Sequence, residues 1–162
     1  SAPYEFINSK LVFLHPRTTE HQEILGNLAL LIGQHVRNNE LGIALPVPLD
    51  VHFDKQNVVQ PDFQYISESR KHMIKDWMYG SPNFIIEVTS ETTYKTDTET
   101  KLQLYGDYDV IEYWIIKPSE ETVEVYHNHD HQMQLQQEAT TKDSITSKAI
   151  SGLVLPVAEI FE

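Results

Sequence analysis

The segment PNFIIEVTS, residues 82 to 90, constrains the chain most. Phe84, Ile85, Ile86 and Val88 make the apolar run of a buried strand, yet Glu87 sits inside it. A lone ionised carboxylate in apolar surroundings either takes up a proton or acquires a cationic partner, so the fold must set something opposite Glu87. A second apolar run, VIEYWII at 110 to 116, follows a stretch with helical features. There Thr96 and Glu99 match a capping box and Gly106 suits a carboxyl-terminal stop, which predicts a helix from Thr96 to Tyr105. Strand, helix and strand in that order predict a right-handed crossover that pairs the two apolar strands in parallel.

The rest of the chain reads as antiparallel strands around one long helix. YEFINSKLVFL alternates about Asn8-Ser9 and predicts an opening hairpin. Ile24, Leu25, Leu28, Leu31, Ile32 and Val36 fall at helical spacing, with Thr19 and Gln22 placed as a capping box and Gly42 as the stop. IALPV, LDVHF and VVQPDFQYI predict a meander, broken by the polar turn DKQN. SESRKHMIKDWMYG predicts one or two helical turns before Gly80 and Pro82, and TVEVYHN with QMQLQQE predicts a hairpin around HDH. LVLPVAEIF is expected to pack on the core. The class is α/β, an α+β arrangement around a mixed sheet, in a single domain spanning 1–162.

Composition removes several functions. The chain has no cysteine, which excludes disulfides, thiolate metal sites and cysteine nucleophiles, so any metal must be held by oxygen or imidazole. Twelve basic against twenty-four acidic residues, a formal charge of −12, argue against a protein that coats nucleic acid by neutralising phosphates. A local positive patch with bound cations remains compatible with acting on it. No apolar stretch has the length of a membrane helix, and SAPYEF lacks the basic and apolar regions of a secretory signal, so no membrane partner and a cytoplasmic location are expected. No phosphate-binding glycine loop, nucleophile elbow or H-E-x-x-H motif is present.

Three pieces carry candidate chemistry: Asp62 in QPDF, Glu87 in IIEVT and Lys101 in TETKLQLY. Asp97, Lys101 and Tyr105 are spaced four apart and share one helical stripe, so a helix covering the Glu87 face would bring the ammonium over that carboxylate. Pro61 cannot donate a ladder hydrogen bond and leaves Asp62 free to converge on the same place. Two carboxylates and a lysine suit metal-assisted phosphodiester hydrolysis: oxygens hold Mg²⁺ (or Mn²⁺), and the ammonium orients a water or meets developing charge.

QPDF, IIEVTS, KTDTETKLQLY and VIEYWIIKP resemble, in order and spacing, the Uma-type family of restriction-endonuclease-like proteins within the PD-(D/E)XK nuclease superfamily. The resemblance runs from YEFINSKLVF to LPVAEIF. It implies a restriction-endonuclease-like core, an endonuclease acting on DNA, Asp62 and Glu87 as metal ligands with the carbonyl of Val88, and Lys101 as the catalytic lysine. The usual superfamily lysine position is Thr89 here, and the resemblance includes a lysine moved onto the next helix. His21 matches a histidine of the family's first helix and joins the candidate catalytic residues. Asn83 stands where the family commonly has aspartate, SETT replaces SPST, and only Lys95 remains of the basic run before Asp97.

Each residue also has a plainer role. Asp62 suits a strand start, Lys101 a solvated helix face paired with Asp97, and His21 a helix start. The histidines of HNHDH suit a solvated turn, and Arg70, Lys71 and Lys75 a solvated helical face. The rival function is a catalytically silent nuclease-fold module that binds protein or nucleic acid, as a possible homodimer formed through an exposed sheet edge or an apolar patch. A glycosidase using the Asp62 and Glu87 pair ranks below both.

Overall fold

The computed structural model describes residues 2–46 and 48–162. The opening hairpin is β1 (Tyr4–Ile7) and β2 (Lys10–Phe13), its turn formed by Asn8 and Ser9 at φ 52° and 63°. Helix α1 (Thr19–Asn38) follows, and its cap is Thr18 rather than the expected Thr19, because the Thr18 hydroxyl accepts the His21 amide. The helix ends at Asn38, ahead of Gly42, which opens β3 (Gly42–Leu45). Val47, the end of the expected IALPV strand, lies outside the described residues.

Strands β4 (Val51–Asp54) and β5 (Asn57–Val59) form a hairpin, and β6 (Phe63–Ser67) follows. The predicted single strand VVQPDFQYI is therefore two, broken at Gln60-Pro61-Asp62 where proline cannot sustain the ladder. A 3₁₀ segment (Glu68–Met73) supplies the expected helical turns, and β7 (Met78–Tyr79) pairs in parallel with β4. Next come β8 (Phe84–Val88), a π-helical turn (Thr96–Thr100), α2 (Lys101–Asp107) and β9 (Glu112–Lys117). β8 and β9 pair in parallel, the crossover read from the sequence. No side chain caps the π turn at Thr96, and Gly106 lies inside α2. A Cβ on Gly106 would stand 2.8 Å from the His131 carbonyl oxygen, so close approach to the last hairpin, and not helix termination, requires glycine there. That hairpin is β10 (Thr122–His129) with β11 (Gln132–Ala139), and β12 (Ser144–Thr146) with β13 (Val154–Pro156) ends the chain.

The main sheet runs β11-β10-β9-β8-β6-β3, and a second runs β2-β1-β5-β4-β7. Alternation along β8 divides the core in two. Phe84, Ile86 and Val88 meet Ile24, Leu25, Leu28, Ile32 and Val36 of α1, joined by Val157 and Ile160 from the tail. Each such buried aliphatic contributes about 1.5–3 kcal/mol. On the other face Ile85 joins Tyr113, Ile115, Leu104 and Tyr105, together with Val51 and Val59 of the second sheet. Glu87 follows Ile85 in that alternation and faces α2. The mixed α+β fold expected from the sequence is observed. No described helix is long and apolar enough to cross a membrane.

Candidate active site

Glu87 meets Lys101, as its position on β8 demands. Lys101 Nζ lies 3.0 Å from Glu87 Oε1, which also accepts the Tyr105 hydroxyl at 2.8 Å. The same ammonium reaches Glu5 Oε2 at 3.1 Å and Asp97 Oδ1 at 3.6 Å. All four of these charged side chains are buried. The π turn and α2 place Asp97, Lys101 and Tyr105 on one stripe, and a widened turn of this kind recurs at functional sites. Thr89, just past β8, has its hydroxyl 3.2 Å from that of Thr93.

Asp62 approaches from the connection between β5 and β6. Its Oδ2 accepts the Val88 amide at 2.8 Å and faces His21 Nε2 at 3.3 Å, while Oδ1 accepts Arg17 Nη2 at 2.9 Å. Asp62, Glu87, Val88, Lys101 and His21, the five residues singled out in the sequence, all line one cavity of 380 Å³, with Asp97 and Arg17 also in its wall. Glu5 reaches the ammonium without lining the cavity. HNHDH lies elsewhere, with His131 Nδ1 3.0 Å from Asp109 in an exposed turn. Arg70 of the expected basic face donates to the carbonyls of Ser81 and Pro82.

The charges are unevenly balanced. Burial pushes Glu87 well above the usual carboxylate range; Lys101 pulls it down, and the charges of Asp62, Asp97 and Glu5 push it further up. Asp97 is raised by the same burial and neighbouring acids, against Lys101 and the nearby Thr89 hydroxyl. Burial alone would lower Lys101, but Glu5, Glu87 and Asp97 outweigh it and fix the lysine as a cation. Asp62 is lowered, because His21, the Val88 amide and Arg17 overcome its burial. Four carboxylates thus share two fixed cations, Lys101 and Arg17.

That shortage of positive charge fits a divalent ion. Among the described residues no three acidic or histidine side chains close around one point. Mg²⁺ nevertheless keeps several waters and is commonly held by one or two carboxylates, so Asp62 and Glu87 with the Val88 carbonyl make an adequate donor set.

Sequence reasoning missed Glu5 and Arg17. Glu5 carried the signal that betrayed Glu87, an acid within the strand YEFI, where Glu5 and Ile7 face inward. Arg17 carried none, since an arginine before a helix cap is ordinary.

A mixed-sheet domain with a buried acid and lysine centre is the class that this fold and site define. The chain belongs to the Uma2 family, described as "putative restriction endonuclease", whose family model matches residues 1–158. Among solved structures it is similar to one described as a putative nuclease belonging to DUF820 from Anabaena variabilis ATCC 29413. The TM-score is 0.81 at 20% identity, over 98% of this chain and 89% of that one, a likeness of fold. No curated protein matches the chain.

Proposed function

We propose that the chain is a metal-dependent endonuclease that hydrolyses phosphodiester bonds in DNA. The observation that supports this reading is the convergence of Asp62, Glu87 and Lys101 on one cavity, with too little fixed positive charge for the acids gathered there. Asp62, Glu87 and the Val88 carbonyl would hold Mg²⁺ or Mn²⁺, and the bound ion supplies a polarised phosphoryl oxygen and a more acidic water. Lys101 is too firmly protonated to act as a base; its ammonium orients water and stabilises negative charge developing on the phosphate. Tyr105 and Asp97 hold that ammonium and Glu87 in place, and His21 braces Asp62. Membership of the Uma2 family favours the same chemistry.

Calorimetry with Mn²⁺ and a cleavage assay on supercoiled DNA test the reading together. Wild-type protein should bind Mn²⁺ and nick the plasmid, and Glu87→Ala should do neither while remaining folded. Unchanged Mn²⁺ binding by Glu87→Ala would remove Glu87 as a ligand.

One observation favours a catalytically silent module instead: Asp62 already has a full set of partners within the chain. Under that reading the protein binds DNA or protein, or pairs through a sheet edge, and cuts nothing with or without Mn²⁺.

A further inference from the structure

Arg17 is a cation in the cavity wall that the chemistry above leaves without a task. It lies on the irregular segment between β2 and α1, where the amides of His15 and Arg17 donate to no backbone carbonyl among the described residues. Its Nε at 3.1 Å and Nη2 at 2.9 Å both point to one atom, Asp62 Oδ1, and among the described residues the guanidinium bonds to nothing else. A guanidinium fork matches two oxygens with two parallel bonds, so two donors crowded on one oxygen leave that capacity unused. Asp62 Oδ2 is tied to the Val88 amide at 2.8 Å, on the strand that carries Glu87. Oδ1 meets no partner but Arg17 among the described residues, so it is the oxygen that a change at Arg17 would release. The Arg17 side chain is 24% exposed against 8% for Asp62, and both line the cavity, so the guanidinium can leave without crossing the core.

We propose that Arg17 occupies the cation-facing oxygen of Asp62 in the metal-free protein and, once a divalent ion takes that oxygen, turns to clamp a backbone phosphate of the DNA substrate. The inference rests on the metal-dependent reading of the site. A divalent ion at Asp62 and Glu87 repels the neighbouring guanidinium, and a phosphate offers the fork both acceptors that Asp62 Oδ1 does not. Arg17 therefore competes with the metal and cooperates with the substrate, so its removal moves the two affinities in opposite directions. A merely structural arginine would weaken both.

Arg17→Met keeps the length of the side chain and removes its charge. Calorimetry of the full chain with Mn²⁺ alone should show the variant binding about tenfold more tightly than wild type. Anisotropy with a labelled DNA duplex in Ca²⁺ should show the variant binding about fivefold more weakly. Binding of Mn²⁺ by the variant with none by wild type also supports the proposal. Equal or weaker Mn²⁺ binding by the variant overturns it while leaving the metal site standing, and unchanged DNA affinity overturns the clamp. Absence of Mn²⁺ binding in both proteins overturns this inference and the metal-dependent reading together. Should Arg17→Met fail to fold, the Arg17 Nε–H signal in nuclear magnetic resonance spectra of the wild type carries the test. It should move toward the position of a free guanidinium as Mg²⁺ is added, and a signal that stays in place overturns the proposal.

Discussion

Glu87 and Glu112 lie on neighbouring parallel strands, β8 and β9, and both are buried, but they face opposite sides of the sheet. Glu112 points toward α1 with Trp114 and Ile116 and is surrounded by neutral donors. Its Oε1 accepts the Ser147 hydroxyl at 2.6 Å and the Lys148 and Ala149 amides at 3.1 and 3.0 Å, and its Oε2 accepts Trp114 Nε1 at 2.9 Å. Burial pushes Glu112 up, but the nearby His127 ring, its Nε2 3.6 Å away, and the Ala149, Ser147 and Trp114 donors outweigh it and hold the carboxyl below its usual range. Glu87 has one ammonium shared among three acids and a single hydroxyl, and its carboxyl is raised. The same residue type, buried in both places, is a structural staple on one face and an under-compensated charge on the other. Buried charges left short of partners are what a binding or catalytic site requires and what a core avoids.

The largest effect that can break this comparison is loss of the staple. Glu112→Ala strands the Ser147, Lys148, Ala149 and Trp114 donors and should destabilise the fold by about 4 kcal/mol, since each buried unsatisfied group costs about 1–3 kcal/mol. Urea denaturation followed by tryptophan fluorescence measures it, and a cost below about 1 kcal/mol would mean that water replaces the carboxylate freely.

Lys101→Met comes next. It leaves Glu5, Glu87 and Asp97 facing one another, and removing one partner of a buried ion pair should cost about 3 kcal/mol. Adding Glu87→Gln to that variant should recover about 1 kcal/mol, because one of the stranded charges goes with it. No recovery would show that Glu87 contributes no charge to the cluster.

Acid titration separates the two glutamates by sign. Glu112 is depressed in the folded state, so the stability it contributes is complete above the ordinary carboxylate value of 4.5 and is lost as pH falls through its lower folded value. Glu112→Gln should therefore flatten the acid limb of stability against pH, measured by urea midpoints from neutral to acid conditions. An acid limb as steep as that of the wild type would assign acid unfolding to other carboxylates.

Glu87→Gln should do the reverse of a core lesion. Removing a buried charge that shares its cation with Glu5 and Asp97 should raise the stability of the metal-free protein by about 1 kcal/mol, a trade of stability for function. Mn²⁺ binding should vanish in the same variant. A lower melting temperature would place Glu87 with Glu112 among the structural carboxylates.

The crossover and the meeting of Glu87 with Lys101 were legible in the sequence because both depend on local periodicity. An acid in an apolar strand and a lysine four residues after an acid on the next helix are separated by fourteen positions. Glu5 reaches the same ammonium from 96 positions away, on the other sheet, and no pattern within β1 says which sheets will meet. Arg17 is hidden for a similar reason, since 45 positions separate it from Asp62. Glu112 is the instructive omission. It interrupts VIEYWII as Glu87 interrupts FIIEV, so the anomaly was present, but its partners lie in the 147–149 loop, whose return to β9 only the fold reveals. Small offsets such as Thr18 for Thr19 at the helix cap arise because adjacent threonines offer the backbone equivalent oxygens.

The finest comparison deletes one hydroxyl at each glutamate. Tyr105→Phe removes the bond to Glu87 Oε1, an atom that keeps Lys101, and should cost about 1 kcal/mol. Ser147→Ala removes a shorter bond to an ionised Glu112 and also orphans the Ile150 amide, which donates to the same oxygen at 3.0 Å. It should cost about 2 kcal/mol, because the bond to Glu112 and the partner of the Ile150 amide are lost together. The measurement is the difference between the two losses in parallel denaturation series. A Tyr105→Phe loss as large as that of Ser147→Ala would mean that Glu87 is as fully served by its partners as Glu112, and the contrast between the two faces of the sheet would disappear.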